Sequence, residues 1–484
     1  MTASRERVLL LLLVGAVLGA NLLTAARYPA VWVDEIQFAD PAVNFVLGNG
    51  FTSSVWVKQG AHETFAGNAP LYPVLLAGWL SVFGVSATAV RSLNYVLVSL
   101  LSVLVHTLLS RSERVRSAWL RLGAAALVLT AHGMTFSYRM GRYDTLGMVW
   151  LAVAALLWDA PRSGGRLAGL FAVGLLLAPT GLQLVPATIL LCGLAVLFRP
   201  REDAPRAASL LAGLVGGVVL LRVVLGAIGT WDAFRASTGA VGVIGKSILG
   251  KILDLPRVYS ADKSLVLLAL AALLLLVPTR KAVLAAPRSS LLLFGVATLA
   301  VVPSALQVAA KFPLYYSWMA FLPLLAGVTA TLGAGGVPRP ARAAALALLV
   351  AAAAVGLPLR LAAVTSAWDA RDPARLENEL GARLASDDVV VGDFKGYYVV
   401  KARSNAFYGL PYLGIMTPSE KESVTALVLK PEAAETVMRI VGGTWAAEGA
   451  DLAAGSVFPE PGLFRFAREL RDENYPLRIY RRVR

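Results

Sequence analysis

Three acidic residues in two short segments carry the chemistry this sequence offers. Asp34 and Glu35 stand in WVDEIQFADPAV, directly after the first long apolar run, and Asp144 closes the short polar segment SYRMGRYD. A carboxylate held at a membrane edge costs free energy unless it is paired, solvated or used. One use is general-base work, in which a positioned carboxylate takes the proton of an attacking hydroxyl. The plainer role for Asp34-Glu35 is to cap an interfacial helix, since Asp favours the N-cap and acids suit a first turn. For Arg142 and Asp144 the plainer role is a surface salt bridge, or Arg139 and Arg142 anchored at headgroup level. On the residues alone both roles stay open for Asp34 and Glu35.

Everything around these acids reads as membrane. The chain has 484 residues, 57% of them hydrophobic and 15% charged, with a mean hydropathy of +0.66. Soluble domains carry about 25% charged residues. A polytopic α-helical membrane protein is therefore the expected class. The net charge of +15 does not point to nucleic acid, because Arg and Lys gather in short loops between apolar runs, which is a topology signal. The single cysteine, Cys192, excludes an intrachain disulfide and reads as a small core residue. The N-terminal run follows charges in the order of a signal peptide, but it is long and no small-residue cleavage site stands out, so a retained first span is expected.

A span needs about 20 apolar residues. Eleven such runs are expected, at 8–26, 88–109, 122–138, 145–158, 167–179, 181–198, 207–228, 264–279, 290–309, 315–333 and 342–361. Pro179 and Gly181 make the 167–198 region either a tight hairpin or one broken helix. Basic residues fall in alternate connections, which places the N-terminus in the cytoplasm and the loops 27–87, 139–144, 229–263 and 310–314 outside. An odd number of spans then puts the tail outside as well. In the first outer loop, 35–48 has the spacing of a short amphipathic helix on the membrane surface, with Pro41 better suited to a first turn than to an interior. LYPVLLAGWLSVFG is too short to span and reads as a second interfacial or re-entrant helix. Arg222 and Arg360 read as snorkelling residues near outer span ends, and His106 and His132 as packed within the bundle.

From about 366 charges become frequent and apolar runs shorten to strand length: 389–394, 425–430, 463–467 and 477–483. PEAAETVMRIVGG (431–443) has the proline start, early acids and glycine stop of a helix. Two domains are expected: a membrane module over 1–365 and a small extracytoplasmic α/β domain over 366–484. No phosphate-binding glycine loop, dinucleotide fingerprint or zinc spacing occurs.

An opening run that ends in an aromatic-rich VDE, a loop closing on NAPLYPVLLAGWLSVFG, an arginine opening the next run (AVRSLNY) and an Arg-x-Asp in an outer loop (GRYD) together resemble a known family. It is the GT-C glycosyltransferases that use polyprenyl-phosphate sugars, in the branch of protein O-mannosyltransferases and aminoarabinose transferases. KFPLYYSWMAFLPLLAG (311–327) is similar to that branch's basic-aromatic approach to a late span. The resemblance covers about 1–330; the tail resembles the soluble domain of these enzymes only loosely.

The resemblance implies an inverting transferase in a bacterial inner membrane. It would move one sugar from a polyprenyl-phosphate donor to a hydroxyl on a lipid, glycan or protein acceptor, at the outer face. The resemblance moves the acidic pair towards catalysis, with Asp34 as the base and Glu35 as a supporting or orienting group, and Asp144 matches the family's second acidic position. The leaving lipid phosphate needs cationic donors, for which Lys58, Arg91, Arg139, Arg142 and Lys311 are the candidates. Each alone can be a headgroup anchor; the set is not explained by anchoring. Tyr315 and Tyr316 either stack on a sugar or the isoprenoid or belong to an interfacial aromatic belt. No cofactor is implied as obligate, because the leaving group is already a phosphate, and a divalent metal has no sequence support. Aminoarabinose transferases carry an acidic-basic pair where this chain has Asn68-Ala69; Lys58, His62 and Glu63 lie just upstream and could substitute.

Two other classes make different predictions. A transporter or flippase of a lipid-linked substrate requires ionisable residues deep inside several spans and related halves of the chain. A non-catalytic sensor would depend wholly on its tail.

Overall fold

In the computed structural model the described residues are 1–240, 247–309, 314–334, 336–369, 371–403, 406–452 and 476–483. Among them, six helices are long and apolar enough to cross a membrane: Ala3–Leu23, Ala87–Arg111, Pro200–Ala227, Lys263–Ala285, Leu291–Val308 and Arg339–Ser366. Shorter apolar helices are Leu71–Phe83, Ala118–Thr130, Gly164–Thr180, Leu184–Phe198 and Trp318–Gly333, and Asp144–Asp159 joins them. The expected apolar runs fall on these helices, except that 122–138 is divided between two helices. The 167–198 region resolves as two helices separated by Gly181, Leu182 and Gln183.

Close helix contacts are made where side chains are missing. A Cβ on Gly217 would lie 2.5 Å from the Leu175 carbonyl oxygen, and Cβ atoms on Gly174 and Gly213 would strike the backbone of the facing helix. Gly164–Thr180 and Pro200–Ala227 therefore pack backbone to backbone, the arrangement that small residues four apart permit in lipid. Ser209 adds an interhelical bond to the Leu167 carbonyl at 2.6 Å.

The run expected at 122–138 breaks in two at Ala131, which is extended (φ −61°, ψ 151°) between Ala118–Thr130 and His132–Arg139. Neighbouring side chains satisfy the amides freed there. His132 N donates to Ser264 Oγ at 2.7 Å and Gly133 N to Asp262 Oδ1 at 3.2 Å. Asp262 also caps Lys263–Ala285 and accepts from Ser317 Oγ. Arg360 corrects an expectation: it is buried rather than snorkelling, donating to Tyr28 Oη at 2.7 Å and lying 3.2 Å from His132 Nε2. A guanidinium this deep is tolerated because its donors are met by neighbouring polar groups.

The tail carries a mixed five-stranded sheet. Its strands are β1 (Val390–Gly392), β2 (Phe407–Gly409), β3 (Ala426–Leu429), β4 (Thr444–Leu452) and β5 (Leu477–Val483), in the order β2-β1-β3-β5-β4. β1 is parallel to β2 and β3, whereas β5 runs antiparallel to β3 and β4. Helix Pro431–Val441 stands where its caps predict. β2 is only three residues long, and β4 (TWAAEGADL) is mostly exposed and rich in alanine, so neither shows an alternating pattern. The strand expected at 463–467 lies outside the described residues.

The sheet is seated on the loop after the opening helix. Gly409 N donates to the Ser54 carbonyl at 3.0 Å, Ala61 N donates to Tyr412 Oη at 2.9 Å, and Arg27 pairs with Asp372 at 2.8 Å. One buried apolar cluster runs from the membrane helices through Ile36, Val43 and Val55 into Val390, Phe407 and Val428 of the sheet.

Candidate active site

The acidic helix is Val33–Val46, with Asp34 and Glu35 in its first turn. It is not left with one face in water, as an amphipathic surface helix would be; Glu35 to Asn44 are buried except Gln37. The tail covers the face that the membrane helices leave open. Pro41 sits inside the helix instead of in its first turn. The lost backbone bond is offset by buried ties on either side, where Asp40 accepts from Ser53 Oγ and Ser54 N, both at 2.9 Å, and Asn44 donates to the Thr52 carbonyl.

The two carboxylates of one turn part company. Asp34 Oδ2 accepts from Arg142 Nη1, and its side chain is 22% exposed. Glu35 points inward to Arg91, with both side chains fully buried: Nε lies 3.1 and 3.2 Å from the two carboxylate oxygens and Nη2 2.6 Å from Oε2. Tyr398 of the tail donates to Glu35 Oε1 at 3.0 Å. Burial pushes the Glu35 carboxyl up, and the Arg91 guanidinium, charged at any ordinary pH, opposes it.

Arg142 is the centre of the outward cluster. Its Nε donates to Asp144 Oδ2 at 2.8 Å, so one guanidinium bridges two acids 110 positions apart in the chain. The Tyr315 ring lies 3.6 Å from the Arg142 guanidinium carbon, a cation–π contact. Tyr316 Oη and Tyr143 Oη are 2.9 Å apart, and Tyr143 donates to Gln183 Oε1. Asp144 is fully buried, and among the described residues its Oδ1 has no hydrogen-bond partner.

Two residues missed in the sequence hold this loop. Asn94 Nδ2 donates to the Arg142 carbonyl at 2.8 Å and to Tyr72 Oη at 3.2 Å, and Tyr72 in turn donates to the Gly141 carbonyl. Gly141 has φ +63°, a left-handed turn that brings its backbone against Glu35. Tyr72 and Asn94 lie inside the segments NAPLYP and AVRSLNY; a polar amide in an otherwise apolar helix was the available signal.

The other candidate cations are placed differently. Arg139 is buried and binds Asn21 Oδ1, Thr24 Oγ1 (2.9 Å) and the Tyr28 carbonyl (2.7 Å), which fastens the opening helix to the GRYD loop. Lys58, with φ +66°, and His62 are exposed on the first outer loop, and no described contact joins them to the Asp34 cluster. Lys311 lies outside the described residues. The structure thus brings together Asp34, Asp144, Arg142, Tyr315 and Tyr316, and seals Glu35 with Arg91 behind them. Among the described residues no group of three His, Cys, Asp or Glu side chains gathers to hold a metal ion.

Two carboxyl groups share one guanidinium, and only that of Asp34 is partly open to water. The cluster can accept a proton through Asp34, and it can receive an anion only if Arg142 shares its donors or other cations approach.

No family model and no curated protein matches the chain. Its fold is similar to the crystal structure of ArnT from Cupriavidus metallidurans bound to undecaprenyl phosphate, with a TM-score of 0.57 and 13% identity over 100% of this chain and 99% of that one. Arabinofuranosyltransferase AftD from mycobacteria gives a TM-score of 0.46 and 16% identity over 100% of this chain and 40% of that one. The Archaeoglobus fulgidus oligosaccharyltransferase AglB, in complex with an inhibitory peptide and a dolichol-phosphate, gives 0.47 and 11% over 94% and 75%. The likeness to ArnT along both whole chains shows a GT-C-like fold.

Proposed function

We propose that this protein is an integral-membrane, inverting glycosyltransferase that takes one sugar from a polyprenyl-phosphate donor. The observation that carries the reading is the meeting of Asp34 and Asp144 on Arg142, with Asp34 alone open to an incoming hydroxyl. The fold shared with a structure that holds undecaprenyl phosphate supports the donor class.

In the proposed step Asp34 takes the proton of the acceptor hydroxyl while that oxygen attacks the anomeric carbon. The bond from the anomeric carbon to the phosphate oxygen breaks on the opposite face. The lipid phosphate departs with that electron pair, and the sugar arrives inverted. Arg142, freed from Asp34 by the donor, meets the phosphate oxygens with its planar fork. Asp144 holds the guanidinium in place through Nε during that exchange. Tyr315 and Tyr316 face the sugar or the first isoprene units. Glu35 and Arg91 orient the helix that carries the base, and Arg139 fixes the loop that carries Arg142.

The site faces the extracytoplasmic side of a bacterial plasma membrane, an orientation supported by the alternation of basic loops. The buried ionisable side chains favour an enzyme over a transporter. Glu6, Arg91, Arg139 and Asp144 lie within a few residues of a helix end, Asp262 caps one, and Arg360 follows the interruption at Gly356.

The test is transfer from radiolabelled polyprenyl-phosphate sugars by purified protein in detergent. Asp34→Asn is expected to lower turnover by about 10²–10⁴-fold, the usual contribution of a general base. A folded Asp34→Asn protein with near-normal turnover overturns the assignment of the base. Wild-type protein that uses no donor in a panel of hexosyl and pentosyl lipids overturns the reading as a whole.

A further inference from the structure

The tail sends one short helix, Tyr397–Arg403, against the acidic helix, and within the shared apolar cluster three of its polar groups meet polar groups of that helix. Tyr398 Oη donates to Glu35 Oε1 at 3.0 Å. Tyr397 Oη donates to Asp40 Oδ1 at 2.6 Å, and Lys401 Nζ reaches Asn44 Oδ1 at 2.7 Å and Asp40 Oδ1 at 3.4 Å. All six side chains are buried. Three polar groups of the tail thus meet Glu35, Asp40 and Asn44, which are spaced along nearly the full length of Val33–Val46.

Buried polar groups are costly to leave unpaired, so these bonds define one register of the two helices. That register has a consequence at the other side of the first turn. Glu35 and Asp34 are adjacent, and the Tyr398–Glu35–Arg91 chain sets the roll of the turn from which Asp34 reaches Arg142. Rotating the helix by one residue, about 100°, would carry Asp34 away from the cluster altogether. Tyr398 touches none of the groups in the outward cluster; its reach to them is through Glu35.

We infer that the tail is a positioning part of the active site, and that Tyr398 is a positioning residue which, through Glu35, holds Asp34 in reacting register. The inference rests on the transfer reaction proposed above. Loss of the latch lets the base wander without removing any group that holds the donor, so the rate of the bound complex falls while donor affinity stays.

The experiment compares full-length Tyr398→Phe with wild type and with Tyr408→Phe, a control whose ring stacks on Tyr412 within the tail. Kinetics with polyprenyl-phosphate sugars are run beside amide hydrogen exchange of residues 33–46. Tyr398→Phe is expected to lower kcat at least fivefold with donor KM within twofold of wild type. Exchange across 33–46 is expected to accelerate at least tenfold, and Tyr408→Phe is expected to match wild type in both. Unchanged kcat, or unchanged exchange across 33–46, overturns the inference. If wild-type protein transfers from no donor, the transfer reading has failed on its own account. The exchange measurement then still decides whether the tail latches the acidic helix.

Discussion

Gly141 shows how narrowly the side chains of the site are set. Its left-handed turn lets the GRYD loop double back so that Arg142 can reach Asp34 and Asp144 at once. A Cβ there would lie 2.7 Å from Glu35 Cγ, against the side chain that is locked to Arg91. Gly141→Ala therefore meets both backbone strain and a clash with a group that has no room to yield. The expected cost is about 1–3 kcal/mol, seen as a lower Tm in detergent, with loss of transfer beyond the loss of folded protein. An unchanged Tm would show that the loop relaxes freely and that the left-handed turn is incidental. At this scale the acids at 34, 35 and 144 stood out in the sequence because charge is rare there. Which of them met water did not, since Asp34 and Glu35 are adjacent and differ only in where the helix turns them.

Among the elements, the helices Gly164–Thr180 and Pro200–Ala227 approach each other backbone to backbone. Its glycines at 174, 213 and 217 leave no space for a methyl group. Gly213→Ala is expected to destabilise the bundle by about 1–3 kcal/mol through overpacking. Gly193→Ala on Leu184–Phe198, where nothing stands within 4 Å of the added carbon, is expected to leave stability unchanged or slightly raised. Thermal unfolding of the two variants side by side is the check; equal Tm values would mean the pair is not tightly packed. The apolar runs foretold these helices but not their interruptions. The break at Ala131 lies within a continuous apolar stretch, and only Ser264 and Asp262, more than a hundred residues on, make its exposed amides tolerable.

At the scale of the whole molecule, the tail and the membrane module share one apolar cluster, so the tail's own stability bears on the site. Asp388 is a point where acid should act. Burial raises its carboxyl, but Arg481 at 2.6 Å, the Thr425 hydroxyl at 2.8 Å and the Ala385 amide at 2.7 Å together hold it below the usual range. A carboxyl depressed in the folded state adds stability that is complete above its unfolded pKa of about 3.9. That stability drains away as pH falls through the lower folded value. Proteolysis within 385–430 is therefore expected to quicken below about pH 4, and Asp388→Asn should flatten that acid dependence while weakening the tail at neutral pH. A variant with the same acid profile as wild type would exclude Asp388 as the group.

Length, hydropathy and charge placement by themselves determined a polytopic helical chain with a small α/β tail, because those properties follow local composition and periodicity. The motifs around VDE, NAPLYP and GRYD carried the resemblance to GT-C enzymes for the same reason. Only the tertiary structure decided that Arg142 binds two acids and Arg91 one, that Arg139 and Arg360 face inward, and that Tyr397, Tyr398 and Lys401 close over the acidic helix. Such pairings join residues up to 363 positions apart. A single sequence records which groups need partners, but the choice among distant partners is made by packing, where one buried geometry satisfies all of them together.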